Sequence, residues 1–158
     1  MTRFPAWHPS AGKQTDFIEK WWGAINSNVG LKPSDIPDLK ELMISFHSYL
    51  ENDFTPKLHT IRNPKRKFKL GDKVQFVIRP NGYMTSPVRF TPELELKTVA
   101  DIQIDAINFT VIINGYKLSE GQIAELAKND GLSLFEFWHW FKVRGKEMDY
   151  KPFDGQLI

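Results

Sequence analysis

The sequence predicts an α+β fold, a curved and mainly antiparallel sheet with helices packed against it. Three observations carry this reading. Apolar and polar residues alternate with a period of two in several runs between residues 74 and 113. Asn114-Gly115 is a two-residue hairpin signal directly after the last of those runs. Two capping boxes then open helices at Ser119 and Ser133. With 158 residues and 41% hydrophobic content, the chain suits one domain with a core of its own.

Taken in order, "RFPAW" (3–7) reads as a short edge strand and "HPSAGKQT" as a polar loop. Thr15 or Asp16 caps a helix to about Asn26, with Phe17, Ile18, Trp21, Trp22 and Ile25 on one side. A second helix over 34–52 follows from Ser34 as cap, Pro37 in the first turn, and Ile36, Leu39, Met43, Phe46 and Leu50 at steps of three and four. Beyond residue 57 the period becomes two. Val74, Phe76 and Ile78 alternate with Lys73, Gln75 and Arg79, up to a Pro80-Asn81-Gly82 turn. Leu94 with Leu96, then Ile102 with Ile104, then Phe109 with Val111 and Ile113 continue the pattern. Ser119 with Gln122 opens "EGQIAELAKN", and Gly131 suits the left-handed stop after it. Ser133 with Glu136 opens "LFEFWHWF", apolar nearly all round and therefore expected to be buried. Its aromatics have faces that stack on bases, but their helical spacing reads as core. One short final strand is expected around Glu147 to Lys151.

Composition narrows the function. No apolar run approaches a membrane span, "MTRFPAWHPSAG" has no apolar signal core, and there are no cysteines. A cytoplasmic chain without disulfides or thiolate metal sites is expected. The histidines His8, His47, His59 and His139 fall in different elements without ligand spacing, so neither a metal nor a cofactor is expected. Charge is uneven. Residues 57–73 hold seven Lys or Arg against Asp72 alone, while the remainder carries 14 basic and 18 acidic residues. A local positive field of this kind suits an anionic partner; a solvated basic loop is the bland alternative.

Within "PKLHTIRNPKRKFKLGDKVQF" (56–76) an extended chain puts Leu58, Thr60 and Arg62 on one face and His59 and Ile61 on the other. Lys57 reaches the Thr60 face only if the chain bends, which Phe54-Thr55-Pro56 makes plausible. Arg62 has the planar fork for an anion or a base edge. Thr60 is either a phosphate donor or, if a base takes its proton, a nucleophile. Lys57 is such a base only where desolvation or a neighbouring cation lowers its pKa, and Arg62, Lys65 and Arg66 are close in sequence. Asp130, in Asn-Asp-Gly, reads first as a turn residue. A carboxylate there faces the negative end of the helix dipole, a cost of roughly 0.3–1 kcal/mol.

The segment Lys57, Thr60, Arg62, then Gly71-Asp72 and "KVQFV", resembles the Lys-x-x-Thr-x-Arg signature of ASCH domains, members of the PUA-like superfamily. "IAELAKNDGLSLFEFWHWF" is similar to the family's helix, acidic turn and aromatic helix. "HPSAGKQTDFIEK" resembles the opening strand-to-helix passage of ASCH-like proteins that bacteriophages often encode. The resemblance covers most of the chain as one domain over 1–158, with a helical insertion at about 28–55.

It implies a small PUA-like β-barrel with flanking helices, and a cleft for RNA or a modified nucleobase. Arg62, His59, Lys65, Arg66, Lys67 and Lys69 would meet the ligand, with His8 and Lys13 from the opening passage. One ASCH branch deacetylates N4-acetylcytidine with a lysine, a threonine and a glutamate. By motif these fall on Lys57, Thr60 and Asp130, the last one methylene shorter than the family's glutamate. Three functions therefore stand open: nucleotide or RNA binding, amide hydrolysis on acylated cytidine, and, through the acidic 34–52 helix, capture of a host or defence protein.

Overall fold

The computed structural model describes residues 4, 6–13, 15, 17–29, 56–63, 65, 67–78, 86–89, 91–147 and 151–158. The expected 34–52 helix, the Pro80-Asn81-Gly82 turn, Asp16 and Arg66 lie outside these residues, as does the side chain of Ile25. The class is α+β, as the periodicities predict. Helix α1 spans Phe17–Val29 and is followed by strands β1 (Ile61–Arg62), β2 (Lys73–Val74), β3 (Val77–Ile78), β4 (Val88–Arg89) and β5 (Leu94–Glu95). Strands β6 (Ala100–Asp105), β7 (Thr110–Ile113) and β8 (Tyr116–Lys117) precede helices α2 (Glu120–Asn129) and α3 (Leu134–Glu147), and β9 covers Phe153–Leu157.

Five strands form one antiparallel sheet in the order β1-β9-β6-β7-β8, and β2-β5 and β3-β4 are separate two-stranded ribbons. Among the described residues the strands do not close into a barrel. The β7-β8 hairpin turns on Asn114 (φ 48°) and Gly115 (φ 85°), the positive angles that an Asn-Gly two-residue turn supplies. Along β6, Ile102 and Ile104 point inward while Asp101 and Gln103 are exposed. That inner face meets Ile123, Leu126 and Ala127 of α2 and Phe137 and Phe141 of α3. Phe141 stands between Phe137 and Phe153, at ring distances of 5.0 Å on each side. Burying each large side chain contributes roughly 2–3 kcal/mol, so this cluster anchors both helices to the sheet. Ile18, Trp21 and Trp22 of α1 are buried too, and Trp21 packs on Phe76 at 4.1 Å.

Both capping boxes form, with Ser119 and Gln122 exchanging bonds at the start of α2 and Ser133 and Glu136 at the start of α3. Gly131 takes φ 77°, and Leu132 N–H closes back on the Ala127 carbonyl, which ends α2 in a Schellman turn.

Five expectations need correction. "RFPAW" is not a strand at its described residues. Phe4 and Lys13 instead close a loop, through Phe4 N–H to Lys13 O (3.0 Å) and Gly12 N–H to Phe4 O (3.2 Å). The expected 73–79 strand splits into β2 and β3, because the Thr91 hydroxyl takes the Phe76 N–H and interrupts the ladder. Phe109 is not in β7. Asp105 accepts hydrogen bonds from Ile107 N–H and Asn108 N–H, and the resulting turn puts Phe109 at φ 51° with its ring exposed. Helix α3 is buried on one face only, for Phe135 is 69% exposed. The final strand lies later than expected. Helix α3 runs on to Glu147, and Gly155 at an inward position hid the alternation of β9.

Candidate functional site

The segment 56–62 is the meeting point of three elements. Lys57 N–H bonds the Lys20 carbonyl of α1 (3.0 Å), and Leu58 N–H bonds the Asn129 carbonyl at the end of α2 (2.9 Å). Only from Thr60 does the chain join the sheet, exchanging hydrogen bonds with Ile158 at 2.8 and 3.0 Å, after which Ile61 pairs with Leu157 and Arg62 with Gln156. The bend before Thr60 brings Lys57 onto the side of Thr60. Both side chains are buried, and both line one cavity of about 250 Å³.

Arg62 and Asp130 line the same cavity, together with Lys20, Thr15, Phe4, Phe17, Trp140 and Phe141. The Lys57 ammonium donates to an Asp130 carboxylate oxygen and to the Asp130 main-chain carbonyl, the latter at 2.7 Å, and stands 5.5 Å above the ring of Phe17. Lys20 Nζ donates to the Gly131 carbonyl at 3.0 Å. Two ammonium groups therefore sit on the carbonyl end of α2, where the helix dipole favours cations. This offsets the unfavourable place of Asp130. Gly131 has a second role here, because a Cβ on it would stand 3.3 Å from Lys20 Cδ and 3.8 Å from Lys57 Cβ.

Burial dominates the electrostatics. It lowers the Lys57 pKa and raises that of Asp130, in each case against the attraction between the two. Both groups are thus pushed toward their neutral forms, which is the direction expected of functional acid–base pairs. Arg62, exposed and lining the same cavity, opposes the charge of Lys57 and favours that of Asp130. Lys20, Lys57 and Arg62 against Asp130 leave the lining net positive.

The other expected ligand residues lie elsewhere. His59 faces a different hollow, beside Trp21, Phe76 and Leu96, and burial with the nearby Lys57 charge pushes its pKa down to about 4. Lys67 lines a third hollow, with Asp101, Gln103 and Asp154. Lys65 and Lys69 are exposed, and neither lines the cavity. His8 is buried, accepting from Ser10 N–H at 3.1 Å and stacking on Phe4 at 4.1 Å, so it shapes the loop that carries the Phe4 wall. Lys13 is exposed and holds that loop through its main chain. Sequence reasoning missed Lys20. Its signal was a cation one turn after Phe17 on a helix face that otherwise carries apolar residues.

Compared with protein-family models, curated proteins and solved structures, the chain matches none. The functional reading therefore rests on the geometry of the cavity and on the sequence signature.

Proposed function

We propose that the chain is an ASCH-type domain of the PUA-like superfamily whose cavity binds a nucleotide or a modified nucleobase, free or within RNA. The sequence signature at Lys57, Thr60 and Arg62 supports that family, and the α+β class with a mainly antiparallel sheet is compatible with it. One observation carries the reading: three cations and one carboxylate surround a hollow of about 250 Å³ walled by aromatic rings. The volume lies just below the usual range of ligand pockets, about 300–1,000 Å³, and so suits a group no larger than one planar heterocycle. Phe4, Phe17 and Trp140 supply aromatic walls for it, and Arg62 and Lys20 supply positive charge for a phosphate. Isothermal titration with nucleoside monophosphates tests this. Arg62→Ala should weaken binding at least tenfold, and affinity should fall steeply between 50 and 200 mM salt. Binding that is flat in salt and indifferent to Arg62 would remove the reading.

A second reading, hydrolysis of N4-acylated cytidine, is favoured by the Lys57–Asp130 pair lying beside Thr60. Transfer of one proton from Lys57 to Asp130 makes a neutral amine and a carboxylic acid, the forms that burial promotes. The amine takes the Thr60 proton as Thr60 Oγ attacks the acyl carbon. The acid then protonates the leaving nitrogen as the C–N bond breaks, and water hydrolyses the acyl-threonine. Release of acetate from N4-acetylcytidine, abolished in Thr60→Ala and Lys57→Ala, is the expected result. No release from the unmodified chain dismisses this mechanism while leaving binding intact.

A further inference from the structure

The loop between Phe4 and Lys13 forms one wall of the cavity, and His8 stands at its centre. Phe4 lines the cavity, and its ring lies flat on the His8 imidazole, with centroids 4.1 Å apart and planes 9° apart. His8 is buried, and its Nδ1 accepts from Ser10 N–H at 3.1 Å. A ring nitrogen that accepts carries no proton, so the ring is neutral with its proton on Nε2. Nε2 is buried without a hydrogen-bond partner among the described residues. The loop is fastened to α3 at two points: Ser10 Oγ donates to Glu136 at 2.9 Å, and His139 Nε2 bonds the Trp7 carbonyl at 3.0 Å.

A second proton on the His8 ring upsets these contacts. It enters at Nδ1 and sets two donors, Nδ1–H and Ser10 N–H, against each other across 3.1 Å. The imidazolium is also a charge in a buried place, which burial disfavours. Glu136 and His139, both on α3, are the ionisable groups that act on it among the described residues; the carboxylate attracts the new charge, and a protonated His139 repels it. Relief comes from loosening the turn at Ser10 and moving the ring toward Glu136 or water, which takes away the surface on which Phe4 lies.

We propose that the loop is a proton-operated latch on the cavity: neutral His8 holds Phe4 in the wall, and proton uptake by His8 releases it. The proposal rests on the reading of the cavity as a ligand site and adds to it a regulation by pH. Because burial lowers the His8 pKa from 6.5, the latch is shut above 6.5 and opens as pH falls through the lower, folded value.

The test uses nuclear magnetic resonance on the free chain and calorimetry with cytidine monophosphate, from about pH 8 to about pH 5. The Ser10 amide should shift with the His8 ring along one titration curve, and the Phe4 ring should lose its Overhauser contacts with His8 below the midpoint. Affinity for cytidine monophosphate should fall about tenfold more in the parent than in His8→Asn, whose side-chain oxygen takes the Ser10 N–H without titrating. The ratio of the two cancels the titration of the phosphate and of the Lys57–Asp130 pair. Glu136→Gln keeps an oxygen for Ser133 N–H and an amide for Ser10 Oγ but removes the charge, so it should move the midpoint to lower pH. A His8 that titrates while Phe4 keeps its contacts, a midpoint indifferent to Glu136→Gln, or equal losses of affinity in parent and His8→Asn overturn the latch. Failure of the cavity reading looks different: cytidine monophosphate binds at no pH, while the Ser10 and Phe4 signals still follow His8.

Discussion

Breaking the Lys57–Asp130 pair should be costly on either side and nearly free when both partners go. Side-chain exposures of 5% and 13% put this pair among buried ion pairs, not surface ones. In Asp130→Leu the ammonium loses its counter-charge, and its escape is to deprotonate. From an ordinary pKa of 10.5 that escape spans about 3.5 units at pH 7, which caps the cost near 5 kcal/mol. Lys57→Met leaves a buried carboxylate that escapes by taking up a proton, capped at about 4 kcal/mol from its ordinary 3.8. Asp130→Leu should therefore lose about 3–5 kcal/mol and Lys57→Met about 3–4 kcal/mol, and the double variant should fall within about 1 kcal/mol of the parent or exceed it. The pH signs agree. Asp130, with its folded pKa raised, contributes stability that is complete below pH 3.8 and declines as pH rises through the folded value. Lys57, with its folded pKa lowered, contributes stability that is complete above 10.5 and is lost as pH falls through the folded value. At neutral pH the charged pair is thus a net cost against an apolar replacement. Urea denaturation at pH 7 measures all four corners of the cycle. Single losses under 1 kcal/mol that simply add would refute the argument, since they describe a hydrated surface pair.

Burial of His59 and the tight packing at Gly155 lead to two further outcomes. His59 titrates near 4 in the fold against 6.5 when free, so its contribution to stability is present above pH 6.5 and lost as pH falls toward 4. The parent should lose about 2–3 kcal/mol more than His59→Gln over that interval, and identical pH–stability curves would contradict the burial of this ring. Gly155→Ala places a methyl group 2.4 Å from Phe153 Cε1 and 2.6 Å from the Arg62 carbonyl, so β1 and β9 must part. A loss of about 3 kcal/mol is expected, with weaker ligand binding from displaced Arg62. A variant as stable as the parent would mean that the strands do not approach this closely.

Local chemistry was the legible part of the fold. Ser119 with Gln122, Ser133 with Glu136, Asn114-Gly115 and Gly131 act within a few residues, and each does what its residue type predicts. What failed depended on distant partners. Thr91 interrupts the strand at Phe76 from fifteen positions away, and nothing near residue 76 announces it. β9 was misplaced because its inward glycine carries no hydrophobic signal; it is needed for the closeness of Arg62, which only the folded sheet reveals. For the site, spacing alone set Lys57 on the opposite face from Thr60. The bend that reunites them is fixed by carbonyls of Lys20 and Asn129, from two helices that the segment itself does not specify. Lys65, Lys67 and Lys69 do not line the cavity, which takes a third cation, Lys20, from α1.

The placement of β9 between β1 and β6 has a consequence for the order of events during synthesis. Thr60 and Arg62 find their main-chain partners in residues 156 to 158, almost a hundred positions downstream. A ribosome that has translated the signature segment, α2 and α3 has made every charged group of the pocket, yet the strand bearing Arg62 still lacks β9, the strand it pairs with. The wall of the cavity that carries Arg62 is therefore assembled only after the last strand has emerged, so the pocket is among the last parts of the molecule to take shape.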